Sequence, residues 1–296
     1  MKNPAASIRA RLLNLSRKSG EPLDALMEQF ATGRFLYRLA NSSYRDRFVL
    51  KGAQLFRIWG AEQHRPTRDI DLLGYGDPSE DTIRSVFLEL VQRPVEPADG
   101  LEWGEIKAAP IRDDIAYGGV RAVLEVRLAG ARISLQIDVG FGDAIIPQAM
   151  EAEWQELLDL PSARLLIYPP ETVVAEKLEA VVSLGLDNSR MKDFFDLYWL
   201  SHHQTFNGDL LIESVTATFE RRSTGMPHEP PLALTEAFAN DSGKTVQWKA
   251  FRRKGKLVAP ELVEVVTDLS SFLEPVLFGE ATGKIWIPES GWTGKS

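Results

Sequence analysis

The chain has 296 residues, of which 44% are hydrophobic and 26% are charged, and both fractions are ordinary for globular proteins. It contains no cysteine, which excludes disulfides, thiolate zinc sites and a cysteine nucleophile, and its four histidines disfavour a histidine-built metal site. The formal net charge of −8 disfavours nucleic-acid binding through overall charge, although a local basic patch is still possible. Any bound metal ion is therefore expected to be held by oxygen atoms.

Neither a signal peptide nor a membrane-spanning segment is predicted. The N-terminal segment is interrupted by Arg9, Arg11 and Arg17, whereas a signal peptide needs a continuous apolar core. No stretch reaches the roughly 18 apolar residues of a spanning helix. The sequence therefore predicts a cytoplasmic protein without a membrane partner.

Helices and strands alternate in the first half of the chain, whereas helical periodicity dominates from about 150 to 277. The Gly-, Trp- and Pro-rich tail at 280–296 is expected to be irregular. This pattern favours an α+β fold with a boundary between two regions near 145–170. Predicted helices cover 5–18, 22–40, 79–92, 171–183 and 191–200, and predicted strands cover 48–50, 69–73, 101–108, 119–128 and 131–139, the last two joined by a hairpin turn.

Two carboxylates at alternate positions of one predicted strand are the sharpest local signal. Asp69 and Asp71 would project from the same face of that strand. Their like charges repel unless a cation lies between them, and divalent cations held in this way can clamp a phosphoryl transfer. Asp138, at the end of a later strand, would add a third acid. The alternative interpretation is that all three are solvated acids next to turns.

Two further segments favour binding of an anion. Lys51, Gly52 and Ala53 lie between a predicted strand and a predicted helix, where backbone N–H groups can hold phosphate oxygens. The alternative is that Gly52 only makes a tight turn. Lys177 falls inside the apolar arc of its helix, so its ammonium group either extends to water or meets a buried anion.

The helix predicted over 191–200 is apolar or aromatic in almost every direction. Its narrow polar strip consists of Lys192, Asp193 and Asp196, with the two acids three residues apart on one side. A strip of this kind on an otherwise buried helix either faces a polar cavity or meets solvent.

A basic segment at 249–256 is the clearest candidate for contact with RNA. It carries five cations, among them Arg252, Arg253 and Lys254, and no acid. The neighbouring Trp248 and Phe251 could stack on bases. The alternative is a solvated helix end whose cations complement the helix dipole.

Together, these segments resemble the AbiEii/AbiGii toxin family of nucleotidyltransferases, which includes the MenT toxins and belongs to the DNA polymerase beta-like superfamily. The family usually has a second glycine where this chain has Ala53. The matching segments follow the order of the family between about 48 and 200: Val49-Leu-Lys-Gly-Ala53, Arg65-Pro-Thr-Arg-Asp-Ile-Asp-Leu72, Ile137-Asp-Val139, Glu176-Lys-Leu178 and Arg190-Met-Lys-Asp-Phe-Phe-Asp-Leu197.

The resemblance implies a nucleotidyltransferase-type mixed sheet with flanking helices over 1–160. It also implies a mostly helical C-terminal domain over 161–296 that contributes Lys177 and Asp193 to the site. The implied roles are catalysis by Asp69, Asp71, Lys177 and Asp193, binding of Mg²⁺ (or Mn²⁺) by Asp69, Asp71 and Asp138, and nucleotide binding by Lys51, Gly52, Ala53, Thr67 and Arg190.

The reaction implied by the resemblance is attack of an acceptor hydroxyl on the α-phosphorus of a nucleoside triphosphate (NTP), with release of pyrophosphate. The implied acceptor is the 3′ end of tRNA, and the implied partner is a cognate antitoxin encoded nearby. Two other hypotheses stay open. One is a small-molecule acceptor of the antibiotic type, which a narrow acidic pocket would favour, and the other is a non-catalytic nucleotide- or protein-binding module.

Overall fold

A computed structural model describes residues 3–60, 65–111 and 118–294 of the chain. These residues form two compact units. The sheet unit consists of residues 3–60, 66–111, 118–142 and 150–167, and the helical unit consists of Arg65 with residues 143–149 and 168–294. Among the described helices, none is long and apolar enough to cross a membrane.

Seven strands of the described part of the sheet unit form one mixed sheet in the order β3-β4-β5-β2-β1-β7-β6. The pairs β2–β5 and β1–β7 are parallel, and the other neighbours are antiparallel. Four helices accompany this sheet. The bounds are α1 (Pro4–Ser19), α2 (Leu23–Ala40), β1 (Phe48–Lys51), α3 (Leu55–Ile58), β2 (Ile70–Gly74), α4 (Glu80–Gln92), β3 (Leu101–Pro110), β4 (Val120–Leu128), β5 (Ala131–Phe141), β6 (Met150–Trp154) and β7 (Ala163–Ile167).

Alternation along β4 gives the sheet one packed face and one open face. Ala122, Leu124 and Val126 are buried, and the residues between them are half-buried or exposed. Helices α2 and α4 pack against the sheet and bury their own apolar residues. The two-residue turn between β4 and β5 has left-handed backbone angles at Ala129 (φ 47°) and Gly130 (φ 80°), which suits a tight hairpin.

The helical unit is built mainly from helices that pack on α5 and α10. A small sheet of β8, β9 and β10 lies at its C-terminal end within the described residues. The bounds are α5 (Pro170–Leu184), α6 (Met191–His203), β8 (Phe206–Asn207), α7 (Gly208–Arg221), α8 (Glu236–Ala239), α9 (Ser242–Gly255), α10 (Leu262–Leu277), β9 (Lys284–Ile287) and β10 (Gly291–Gly294).

The predicted α+β class is confirmed, but two local predictions are wrong. Residues 150–167 contain the strands β6 and β7, because β7 pairs with β1 and β6 extends the sheet beyond it. The tail is a β-hairpin and is not irregular. Its tryptophans fix it, since the indole N–H of Trp286 donates to the carbonyl of Ser201 (2.7 Å) and that of Trp292 to the carbonyl of Phe272 (3.0 Å).

Candidate active site

Three carboxylates of the sheet unit, here called the carboxylate row, lie on two adjacent parallel strands or directly before one of them. Asp71 on β2 is paired in register with Asp138 on β5, and Asp69 lies two residues before Asp71. Ile70 and Leu72 are fully buried, so Asp71 between them projects away from the packed face. Asp69 is exposed, and Asp71 and Asp138 are half-buried. The row is therefore anchored by apolar packing and accessible from solvent.

The glycine turn after β1 is shaped by its contact with Asp71. Gly52 has φ +72°, and a Cβ atom at this position would overlap the Asp71 carboxylate. Both facts require glycine. The next residue, Ala53, is buried and does not have a positive φ. Alanine therefore replaces the second glycine of the family pattern without backbone strain, and residues 52–54 form a 3₁₀ turn that leads into α3.

Asp138 is held by an arginine on the neighbouring strand. Nε and Nη2 of Arg121 on β4 donate to the two carboxylate oxygens of Asp138 at 2.8 and 2.7 Å. In the residues that the structure describes, no group of three or more His, Cys, Asp or Glu side chains is arranged to hold a metal ion. The oxygen donors of the row have the chemistry that Mg²⁺ and Mn²⁺ prefer. Asp138 would have to release Arg121 before it could become a metal ligand.

The sequence did not indicate the side chain that anchors Asp69. The buried side chain of Gln54 donates from Nε2 to the backbone carbonyl of Asp69 at 3.2 Å. The charge of Asp69 is also felt by Glu28. Burial raises the pKa of Glu28, the charge of Arg68 lowers it, and the charges of Asp24 and Asp69 raise it further.

In the helical unit, five charged side chains form what we call the Lys177 cluster. Nζ of Lys177 lies 2.9 Å from Oδ1 of Asp193 and 2.6 Å from Oδ2 of Asp196. Arg65 donates to both carboxylate oxygens of Asp196 at 2.8 Å, and Nε of Arg190 lies 2.8 Å from Oδ2 of Asp193. The side chains of Asp193 and Asp196 are only 1% and 0% exposed, so the two acids of the α6 polar strip are buried, whereas Lys192 in the same strip is exposed.

The Lys177 cluster has more positive than negative charge. Burial alone would lower the pKa of Lys177, but the attraction of Asp193 and Asp196 outweighs it and raises that pKa above its ordinary value. The pKa of nearby Lys192 is lowered by burial and by the surrounding cations, although Asp193 opposes this shift. Among the contacts that the structure describes, two acids face the three cations Arg65, Lys177 and Arg190, a surplus that favours an anionic ligand.

Arg65 and Asp196 were missed as site residues. Asp196 lies in the same polar strip as Asp193, so the spacing of the two acids could have included it. Arg65 is more than a hundred positions from its partner, and no local pattern predicts a pairing at that distance.

The remaining predicted nucleotide-binding residues belong to the sheet unit. Lys51 ends β1 in register with Asp71, and Thr67 lies in the extended segment before β2. Nucleotide binding by these two residues stays a prediction.

Part of the predicted RNA-binding segment, residues 249–256 with Trp248, makes contacts within the protein. Trp248 is 0% exposed and its indole N–H donates to the carbonyl of Pro260 at 2.9 Å, so the prediction that it stacks on bases is wrong. Arg252 pairs with Glu261 at 2.9 Å. Arg253 and Lys254 are exposed near the C-terminal end of α9. Contact of these three cations with RNA stays a prediction.

A mixed sheet that carries paired carboxylates beside a glycine turn is typical of nucleotidyltransferases. A family model described as nucleotidyl transferase AbiEii toxin, type IV toxin–antitoxin system, matches residues 34–274. The chain therefore belongs to the AbiEii family, which confirms the predicted family and nucleotidyltransferase activity. Membership also places the chain among the toxins of toxin–antitoxin systems, which implies an antitoxin partner.

Two solved structures from Helicobacter pylori are similar to this chain. JHP933 has a TM-score of 0.49 and 17% identity, covering 86% of this chain and 92% of its own. A second H. pylori structure has a TM-score of 0.48 and 16% identity, covering 86% and 95%. Both TM-scores lie below 0.5, so neither likeness assigns a fold or a function to this chain. No curated protein sequence matches the chain.

Proposed function

We propose that this toxin transfers a nucleotide from an NTP to the 3′ end of a tRNA, with Mg²⁺ held by the carboxylate row. The observation that carries the proposal is the row itself, in which Asp71 is in register with Asp138 and lies against the backbone of Gly52. Like charges brought this close favour a bound cation.

The chemistry of the transfer needs little beyond positioning and neutralisation of charge. The acceptor oxygen forms a bond to the α-phosphorus, the bond from that phosphorus to the bridging oxygen breaks, and pyrophosphate leaves while the hydroxyl proton is released. Bound Mg²⁺ supplies positive charge at the phosphate oxygens. Asp69 and Asp71 would hold the ion, and Asp138 would join them after releasing Arg121.

The Lys177 cluster supplies the second requirement, a site for the triphosphate. Its surplus of cations suits the negative charge of phosphate groups, and its two buried acids keep Lys177 and Arg190 in place. Lys177 would neutralise phosphate charge, and Asp193 would hold the ammonium group of Lys177 in position. We expect the nucleotide site to use Lys51, Gly52, Ala53 and Thr67 as well.

An RNA acceptor fits the exposed cations on α9, since Arg253 and Lys254 project from a chain of net negative charge. The substrate assay incubates the full chain with each NTP labelled at the α-phosphate, with total tRNA, and with Mg²⁺, Mn²⁺ or EDTA. We expect metal-dependent label at the RNA 3′ end. Label that reaches only small molecules would overturn the tRNA acceptor, and label that forms equally in EDTA would overturn the metal.

A matched pair of variants tests whether nucleotide transfer depends on the carboxylate row. Asp71→Asn keeps the side-chain shape but removes the charge, and Asp81→Asn makes the same change at an exposed acid paired with Arg84 on α4. We expect loss of transfer only in Asp71→Asn. Equal activity in the two variants would contradict the assignment of Asp71.

A further inference from the structure

Asp138 of the carboxylate row is neutralised by an arginine of its own sheet. Arg121 donates from Nε and Nη2 to the two carboxylate oxygens at 2.8 and 2.7 Å, and this bidentate geometry is the strongest form of an arginine–carboxylate pair. The two residues are directly opposite each other on β4 and β5, so their side chains leave the same face of the sheet.

Three adjacent strands place Arg121, Asp138 and Asp71 side by side in that order. Asp138 on β5 is in register with Arg121 on one neighbouring strand and with Asp71 on the other. Its carboxylate therefore lies between a cation and a second acid, and both of its oxygens accept from the cation. Gln136 adds a longer contact from Nε2 to Oδ2 of Asp138 at 3.4 Å. This engagement of Asp138 agrees with the lack, among the described residues, of three acids arranged around one metal position.

A metal ion at the row and the guanidinium of Arg121 compete for the same carboxylate. Oxygen ligands suit Mg²⁺ and Mn²⁺, but the charge of the guanidinium repels a divalent cation bound beside it. The side chain of Arg121 is 42% exposed and that of Asp138 is 18% exposed. Arg121 is therefore the partner that can turn away, and the pair can open without unpacking the sheet.

We propose that Arg121 couples metal binding to nucleotide binding. In this exchange, Asp138 gives up Arg121 for the metal ion, and the released guanidinium binds phosphate oxygens of the nucleotide. The inference rests on the proposed function, which brings both ligands to the row. Guanidinium groups bind carboxylate and phosphate with the same bidentate geometry, so Arg121 stays paired with an anion throughout. A coupling of this kind is reciprocal, since each ligand raises the affinity for the other.

Two binding measurements on Arg121→Gln have opposite expected signs, which a purely structural role would not produce. Mn²⁺ binding without nucleotide, followed by electron paramagnetic resonance, should be roughly tenfold tighter than in wild type because the competitor is gone. Binding of a fluorescent, non-hydrolysable NTP analogue at saturating Mn²⁺, followed by anisotropy, should be roughly tenfold weaker because a phosphate contact is gone.

Two further variants control these measurements. Arg127→Gln removes an exposed arginine from the same strand and the same face, six residues from Arg121, and should match wild type in both affinities. Arg121→Lys keeps the charge but loses the bidentate fork, so both affinities should lie between those of wild type and Arg121→Gln. Melting temperatures identify any loss that comes from unfolding, and Arg121→Lys carries the test if Arg121→Gln does not fold.

Several results would overturn the exchange. Unchanged Mn²⁺ binding in Arg121→Gln would show that Arg121 does not compete with the ion, and weaker binding would show that it orients Asp138 for the ion instead. Tighter Mn²⁺ binding with unchanged affinity for the NTP analogue would contradict the coupling. Absence of bound Mn²⁺ in wild type and in every variant would overturn both the exchange and the metal site of the proposed function.

The proposed transfer to tRNA fails separately, because neither binding measurement involves RNA. If both expected signs are observed and no nucleotide is ever transferred to RNA, the exchange stands and the proposed reaction is wrong. If transfer to tRNA depends on Mg²⁺ while Arg121→Gln binds both ligands as wild type does, only the exchange is wrong.

Discussion

The carboxylate row and the Lys177 cluster both set acids beside cations, but they differ in burial. The row is accessible, with Asp69 exposed and Asp71 half-buried against Gly52. In the cluster, Asp193 and Asp196 are almost completely buried, and each is held by Lys177 and by an arginine. The two sites therefore suit different ligands. The row can bind an external cation, whereas the cluster is already ion-paired and has a surplus of positive charge.

The largest expected effect is on transfer by Asp71→Asn. We expect a loss of roughly a thousandfold in rate, because a preorganised charge at the reacting phosphate is removed. The melting temperature in EDTA should hold or rise, since repulsion within the row is relieved. Transfer is measured with labelled NTP, and unfolding by circular dichroism. Normal transfer in this variant would remove the row from the reaction.

Lys177→Met tests how much the buried Lys177 cluster contributes to stability. From the apolar arc of α5 alone, Met would be expected to preserve stability, but the two buried acids lead us to expect a loss. We expect a loss of about 3 kcal/mol in the free energy of unfolding, because two buried acids lose a shared cation. Arg190→Gln, whose side chain is 45% exposed, should lose less than about 1 kcal/mol. Urea unfolding measures both, and equal losses would show that burial does not set the difference.

The pH dependence of the same variant has a definite sign. The pKa of Lys177 in the folded chain lies above the ordinary 10.5. Its stabilisation is therefore fully present below that pH and is lost as pH rises through the folded pKa. The difference between wild type and Lys177→Met should shrink only in strongly alkaline solution.

A second buried charge cluster lies in the sheet unit, and its stability is expected to depend on pH in a lower range than that of the Lys177 cluster. Glu156 accepts from Nη1 of Arg34 at 3.2 Å, and Asp99 accepts from Arg34 and Arg38. Burial raises the pKa of Glu156 from 4.5 to about 7, with Arg34 opposing the shift and Asp99 adding to it. Between these values the folded chain holds more protons than the unfolded chain, so stability falls as pH rises through this window.

Glu156→Gln should remove that pH dependence. Relative to this variant, wild type is expected to lose about 2 kcal/mol of unfolding free energy between about pH 5.5 and pH 8. Urea unfolding across this range measures the difference. A parallel pH dependence in the two proteins would mean that Glu156 is ionised throughout the range.

Gly52→Ala and Gly20→Ala separate the backbone strain of a positive φ from the contact with Asp71. A Cβ at position 52 meets both a φ of +72° and the Asp71 carboxylate, whereas Gly20, at φ +79°, has nothing within 4 Å. Gly20→Ala should cost about 1 kcal/mol from backbone strain alone, and Gly52→Ala somewhat more together with a loss of transfer. If the two variants melt alike and Gly52→Ala transfers normally, the contact with Asp71 has no functional role.

Local patterns predicted much of what the structure describes, and long-range pairing explains the rest. The alternation of Asp69 and Asp71 and the helical spacing around Lys177 are visible within a few residues. The partners of Asp138 and Asp196 are not visible in the local sequence, because strand pairing brings Arg121 beside Asp138 and the tertiary fold brings Arg65 to Asp196.

The wrong predictions have different origins. Strand β6 (Met150–Trp154) alternates apolar and acidic residues, so its sequence could have indicated a strand, whereas β7 gains stability from pairing with β1 and β6. Trp248 lies in a basic segment, yet tertiary packing and one hydrogen bond to Pro260 decide its burial.

Binding of Mn²⁺ to wild type, Asp71→Asn and Lys177→Met, followed by electron paramagnetic resonance without NTP or RNA, tests most directly whether the carboxylate row holds the metal ion. We expect Asp71→Asn to lose the bound ion and Lys177→Met, provided it is folded, to keep it, because the row and not the cluster recruits the cation. Equal Mn²⁺ binding by wild type and Asp71→Asn would contradict this assignment.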